Sequence, residues 1–302
     1  MIDTLCLVYT PSMDSGYIDL MSEVGVRINV DRKNSNEFHI IGTYKNLRVY
    51  IEPTFVRIEG SFPKYYYGTN LKPLLYIELG LAIDKLSAVF GLPLKQAVIS
   101  RIDIAIDVEV VNPPSYYFSS LGNLAKFDRI ERKGSLYYEQ GWCKLCFYDK
   151  IAEAQKHNDC HLTEELLNKN ILRCEIRYMR GWLKHYFGRI IKVGEVCNGT
   201  DDIYCELIAK SFLIYDDIVK KGDLEFNFDM TLSELGKWAI IKLYRNGTDF
   251  VKLIDNCSKK GDKRAERMKR EVMKLLKGGY TLDESTEELK EKIFDAVCKS
   301  ID

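Results

Sequence analysis

Along the chain, hydrophobic and polar residues first alternate with a period of two and later repeat near every 3.6 residues. Segments 3–9, 24–30, 37–43, 47–52 and 55–62 are short, β-rich and separated by polar or turn residues, which predicts strands. Runs this close in sequence favour antiparallel pairing. Segment 73–90 carries Leu75, Leu79, Ala82, Ile83 and Leu86 at helical spacing, and Gly91 and Pro93 stop it.

The clearest strand spans 98–110. Val98, Ile102, Ile104, Ile106, Val108 and Val110 form its apolar face, and Arg101, Asp103, Ala105, Asp107 and Glu109 its polar one. Pro113 and Pro114 close it, and a short helix follows. Strands at 135–139 and 143–149 read as a hairpin around Gln140 and Gly141. A helical stretch at 150–168, broken near Asn158, precedes a last strand at 171–178 and a short helix ending at Gly188. Beyond 191 the pattern is helical, at 202–221, 232–244, 249–256, 262–277 and 283–299. The expected fold is α+β: an antiparallel sheet with helices packed on one face, followed by a mainly helical C-terminal region. A boundary near residue 195 divides a domain at 1–195 from the helical region at 196–302.

Composition narrows the class. The 302 residues are 46% hydrophobic and 29% charged, as in folded globular proteins. Formal net charge is zero, so any nucleic-acid contact must come from local patches rather than from a basic coat. Nine cysteines at irregular spacing, with no signal peptide before them, predict reduced thiols in a cytoplasm. No apolar stretch approaches a membrane span. Cys143, Cys146, Cys160 and His161 are of zinc-ligand type, but residues three apart on a strand point to opposite faces, which argues against a shared site.

The candidate chemistry lies on the strands' polar faces. Segment 171–178 carries Arg173, Glu175 and Arg177 on one face, and segment 143–149 carries Lys144, Cys146 and Tyr148, with Lys150 just beyond. In one sheet with 98–110, these faces would gather carboxylates, arginines, a lysine and a tyrosine. A merely solvated sheet face alternates in the same way. Carboxylates on neighbouring strands suit Mg²⁺ or Mn²⁺, which polarise phosphodiesters. Arg and Lys suit phosphate oxygens. A tyrosine is a weak nucleophile near neutral pH unless a cation or metal assists it. There is no His-x-His pair among the four histidines.

These residues resemble the gene II/X family of filamentous-phage and plasmid replication initiators. The resemblance runs from Met1-Ile2-Asp3 through Ser61-Phe62-Pro63-Lys64, Gly68-Thr69-Asn70, Ser100-Arg101-Ile102-Asp103 and Tyr148-Asp149-Lys150 with Glu153. It ends at Leu172-Arg173-Cys174-Glu175 and Leu183-Lys184, with a weaker echo at Leu232-Ser233-Glu234-Leu235. Order and spacing hold over residues 1 to about 190. The resemblance implies a metal-dependent endonuclease and strand transferase in a bacterial host's cytoplasm. Such an enzyme nicks one strand at a rolling-circle origin through a 5′-phosphotyrosyl bond and later rejoins it. It implies Tyr148 as nucleophile, Asp103 and Glu175 as ligands of Mg²⁺ or Mn²⁺ with Asp107 as an optional third, and Lys150 and Arg173 at the phosphate. Expected partners are duplex and single-stranded origin DNA, and a host helicase and polymerase. Tyr186 is the rival nucleophile, or an aromatic packing its helix onto the sheet. A DNA-binding protein without nicking activity is the alternative reading.

Between 259 and 277 stand nine basic and three acidic residues, a local net charge of +6. In a chain neutral overall, Lys263, Arg264, Arg267 and Arg270 are candidate phosphate contacts, against the plain reading of a solvated helix face.

Overall fold

The computed structural model describes residues 1–11, 20, 31–32, 39–197, 203–220, 267, 270 and 284–301. Ten described strands form one antiparallel sheet. They are β1 (Ile2–Tyr9), β2 (Asp31–Arg32), β3 (Ile40–Tyr44), β4 (Leu47–Ile51), β5 (Val56–Ser61), β6 (Val98–Glu109), β7 (Asp128–Arg132), β8 (Ser135–Gln140), β9 (Cys143–Asp149) and β10 (Ile171–Met179). Their spatial order is β2-β3-β4-β5-β1-β6-β10-β9-β8-β7, so the three strands with the richest polar faces lie side by side. The α+β expectation holds. Segment 24–30 lies outside the described residues, as do the segments at 232–244 and 249–256.

The helices are α1 (Phe62–Tyr67), α2 (Tyr76–Phe90), α3 (Lys150–Lys156), α4 (Glu164–Leu167), α5 (Arg180–Phe187), α6 (Val193–Cys197), α7 (Ile203–Asp216) and α8 (Glu284–Ile301). One hydrophobic core joins the apolar sheet face to them, with Ile104, Ile106, Leu145, Phe147, Ile176 and Tyr178 of the sheet fully buried. Helix α2 contributes Leu79, Ile83 and Leu86. Past residue 195, α7 belongs to the same core: Tyr215 meets Phe147 edge-on at 6.2 Å, and Ser211 shares a 2.9 Å hydrogen bond with Tyr178. Helix α8 docks beside the second half of β6, where β1 no longer pairs. There Lys292 Nζ donates to the Glu109 carbonyl, and Glu288 accepts from the Val111 amide and the Tyr117 hydroxyl. That contact satisfies backbone groups on an otherwise open strand edge.

Two irregularities in the β1–β6 ladder set the faces. Asp3 and Thr4 together oppose Asp103, a bulge that turns both Ile2 and Leu5 inward and aims Asp3 at the polar side. Ser100 is an extra residue on β6, between the pairs Cys6–Arg101 and Leu7–Ile99. Strict alternation assigns Val98 to the core, whereas the phase change buries Ile99 instead. Two further elements depart from the pattern. β7 is an edge strand without an apolar face, and the chain leaves β5 for α1 at Phe62 rather than continuing extended. Ser61 caps that helix, Pro63 sits in its first turn, and Gly68 ends it at φ 88°. The 150–168 stretch divides into α3 and α4, with Asn158 at φ 51° in the break.

Candidate active site

Cross-strand register fixes which polar residues share a face, because directly opposed residues in an antiparallel ladder project the same way. Arg173 on β10 lies between Asp107 of β6 and Tyr148 of β9; Glu175 lies between Ala105 and Cys146; Arg177 lies between Asp103 and Lys144. Asp103, Tyr148 and Glu175 therefore emerge on one side of the sheet. This face is not an open, solvated one. Asp103 is fully buried, Arg173 is 3% exposed, and Tyr148 is half-buried.

The burial is matched by dense pairing. Arg173 holds both oxygens of Asp107 at 2.6 Å and donates to Asp3 at 3.4 Å and to the Asn70 carbonyl at 2.7 Å. Arg101 grips both oxygens of Asp103 and reaches Glu59 at 3.0 Å, while Arg177 adds a 3.2 Å bond to Asp103. Tyr148 donates its hydroxyl to Glu175 at 2.8 Å. Asn70 is the hinge of the whole. Its amide donates to Asp3 at 3.2 Å, its side-chain oxygen accepts from Lys150 at 2.8 Å, and its backbone receives Arg173. Lys150 is buried and also paired with Glu153. The short motifs at 2–3, 61–64, 68–70, 100–103, 148–153 and 172–175, scattered over the sequence, thus meet on one face in two adjoining clusters, one around Asp3, Asn70 and Arg173 and one around Asp103, Arg177 and Glu175.

The electrostatics divide the carboxylates. Burial opposes ionisation of Asp3, but Arg173 and Asn70 outweigh it and hold the pKa below the usual carboxylate range. Burial, and then the neighbouring charges of Asp3 and Asp103, push Glu175 up to about 7. Burial and the charge of Glu175 raise the Tyr148 phenol well above its ordinary value, so here it is a neutral donor. Burial and Arg173 lower Lys150. Burial works against the charge of Arg173, yet Asp107 and Asp3 keep it firmly protonated.

One consequence concerns stability and pH. Glu175 binds its proton more tightly folded than unfolded, since its value rises from 4.5 to about 7. Stability is therefore lost as pH climbs from 4.5 through 7, and the cost is complete above that. Glu175→Gln keeps an acceptor for Tyr148 without a charge. With chelator present, it is expected to exceed wild type by on the order of 2 kcal/mol above neutral pH, the gap closing in acid. Paired thermal melts at about pH 5 and about pH 8 measure this, and a gap independent of pH contradicts it.

The structure brings Tyr148, Glu175, Asp103, Asp107, Arg173 and Lys150 together. It commits several of them to protein partners: both oxygens of Asp107 go to Arg173, and Lys150 is buried behind Asn70. Asp3, Asn70, Arg101 and Arg177 complete the cluster and were not assigned roles from sequence. Arg101 and Asp103, two apart on one strand, could have been paired from alternation alone. Tyr186 lies on the other side of the sheet, stacked on Trp182 at 4.7 Å, which in turn leans on Tyr178 of the apolar face. Cys143 is buried in the core and Cys146 is on the polar face, so they share no site. Cys160 and His161 instead group with Asp159, and among the described residues this is the set of three potential ligands lying within 4.8 Å of one another. Lys263 and Arg264 lie outside the described residues; Arg267 and Arg270 are helical and exposed.

A ten-stranded antiparallel sheet thus gathers a half-buried tyrosine, carboxylates and arginines on one face. Residues 38–195, just over half of the chain, match the family described as the N-terminal region of the phage replication-associated gene II protein. The chain belongs to this family of phage replication initiators. The matched span holds Tyr148, Glu175, Arg173, Asp103 and Asn70, while Asp3 precedes it. No curated protein sequence matches the chain. Among the described residues no helix is long and apolar enough to cross a membrane.

Proposed function

We propose that the chain initiates rolling-circle replication by nicking one strand of a duplex origin with Tyr148. The phenolic oxygen attacks a phosphodiester, a tyrosyl–phosphorus bond forms at the 5′ side, and the bond to the 3′ oxygen breaks. The phenolic proton passes to Glu175, and the departing oxygen takes up a proton as the 3′-hydroxyl. The same chemistry run backwards rejoins strands. The observation that carries this reading is the 2.8 Å hydrogen bond from Tyr148 to Glu175. A carboxylate titrating near 7 is matched to removing and returning a proton at cellular pH.

The donor set suits a hard divalent cation. Burial, and then the neighbouring charges of Asp3 and Asp103, raise Glu175, and a cation held there would relieve the second of these. Mg²⁺ or Mn²⁺ held there would stabilise charge on the phosphate oxygens. Arg173 holds both oxygens of Asp107 and Arg101 both oxygens of Asp103, so either carboxylate would have to give up an arginine to reach a cation. Arg173 and Lys150 then serve the phosphate indirectly, by holding Asp3, Asn70 and Asp107 in place. Nicking of a supercoiled origin plasmid is expected to stop in excess chelator and to return with Mg²⁺ or Mn²⁺. Undiminished nicking in chelator removes the metal from the reading.

Origin DNA is the partner this chemistry requires, with a host helicase and polymerase acting on the freed 3′ end. Lys263, Arg264, Arg267 and Arg270 are proposed duplex phosphate contacts. Replacing all four with Ala should lower origin affinity and flatten the plot of log K against log salt by about 0.9 per lost contact. Titrations at several salt concentrations measure this, and equal slopes would leave the helix merely solvated. The second reading, a DNA-binding protein without nicking activity, is favoured by the half-burial of Tyr148. It differs in one observable, forming no covalent adduct.

A further inference from the structure

The turn between β8 and β9 carries an aromatic groove on the helix-covered side of the sheet, away from Tyr148. Gln140 pairs with Cys143, leaving Gly141 and Trp142 as a two-residue turn with Gly141 at φ 42°. Trp142 is 62% exposed, yet it is firmly placed. Its ring lies against Gly181 of α5, where a Cβ would come within 2.5 Å of Cδ2, and its carbonyl accepts from the Met179 amide at 3.0 Å. One face of the indole is thereby seated on a glycine shelf and the rest is left to solvent. Beside it, Trp182 and Tyr186 are stacked within 14° of parallel, and Tyr186 is itself 39% exposed.

Cations line the same groove, which encloses about 800 Å³. Lys126 lies on one side, held at φ 69°, and Lys210 lies with its Nζ 5.9 Å from the Tyr186 ring. Neither is in an ion pair among the described residues, and Asp217 is the acidic residue of the lining. A large ring fixed in the open forgoes the burial it would gain in a core, so its neighbourhood is where a flat apolar ligand would recover that energy. Partly exposed rings beside lysines match a ligand of stacked planar groups on a polyanionic backbone. Stacking tolerates any base, because every base offers a π-face.

We propose that this groove binds single-stranded DNA, with bases stacking on Trp142 and Tyr186 and phosphates meeting Lys126 and Lys210. Trp142 and Tyr148 are six residues apart along the hairpin arm, roughly 20 Å of extended chain. A strand held here would thus be kept apart from the reacting phosphodiester while remaining on the same molecule. The inference goes beyond nicking and rests only on the chain's acting on DNA.

Two of the three tryptophans in the chain, Trp142 and Trp182, lie in the groove, so intrinsic fluorescence reports on it directly. The full chain carrying Tyr148→Phe, which separates binding from any covalent step, is titrated with a labelled oligothymidylate. Saturable quenching of tryptophan emission is expected to track the anisotropy of the label. Trp142→Ala should weaken binding about 5- to 100-fold, the range for loss of one stacking platform. The double variant Lys126→Glu, Lys210→Glu leaves Trp142 and its turn intact and tests the groove even if Trp142→Ala disturbs the turn; it should weaken binding at least as much. Both sets should leave duplex-origin affinity unchanged. Oligothymidylate affinity equal to that of the parent in both variants overturns the proposal, as does absence of quenching at saturation. If the unmodified chain forms no covalent adduct while these losses appear, the groove stands and the nicking reading falls.

Discussion

Tyr148→Phe is expected to leave a folded chain that forms no covalent adduct with origin DNA. The change deletes one oxygen. It removes a single hydrogen bond to Glu175, worth about 1 kcal/mol, and leaves the ring in place. The reaction loses its nucleophile outright, so adduct yield should drop on the order of 10⁴-fold or more, below detection on a denaturing gel with labelled DNA. Tyr186→Phe should keep full yield, because Tyr186 sits on the opposite side of the sheet among Trp182 and Phe187. Adducts that survive Tyr148→Phe would show that the attacking oxygen is elsewhere.

The second large effect is on stability. Arg173 is buried and supplies the compensating charge for Asp107 and Asp3, and it also ties down the Asn70 carbonyl. Removing one partner from a buried ionic cluster strands the others in a poorly solvated place. Arg173→Ala should therefore cost about 3–5 kcal/mol, a large share of a typical domain's stability. Lysine cannot reproduce the two-pronged grip on Asp107, so Arg173→Lys should recover only part of the loss. The exposed pair Lys95–Asp84 is the control, and deleting it should cost less than about 1 kcal/mol. Denaturant unfolding of the three variants measures all of this. A loss below about 1 kcal/mol for Arg173→Ala would mean that the network is not structural.

Much of the site was legible in the sequence, because alternation on β6, β9 and β10 assigns side chains to faces without any knowledge of register. Tyr148, Glu175 and Asp103 could be placed together on that basis. The pairings could not. That Arg173 meets Asp107 rather than Asp103 depends on which residues oppose each other across β6 and β10, and nothing local sets that offset. Asp3 was hidden for a related reason. Its aim comes from a bulge that exists only because β1 and β6 pair with two residues against one. Ile99 entered the core through the second irregularity, at Ser100. α1 did leave a local signal, Ser61 followed by Pro63, but the β-rich run at 55–62 masked it. The plain reading of a merely solvated sheet face fails on energetics. Charges of both signs placed on adjacent strands satisfy one another, and the face closes instead of filling with water.

The central claim is that a covalent bond forms between DNA and the oxygen of Tyr148. The most direct measurement is to trap the product on a labelled origin oligonucleotide, digest the protein, and sequence the DNA-linked peptide by mass spectrometry. The expected peptide contains β9, with the nucleotide mass on Tyr148. Nucleotide on Tyr186 or any other residue, or no linked peptide while the plasmid is still nicked, would contradict it.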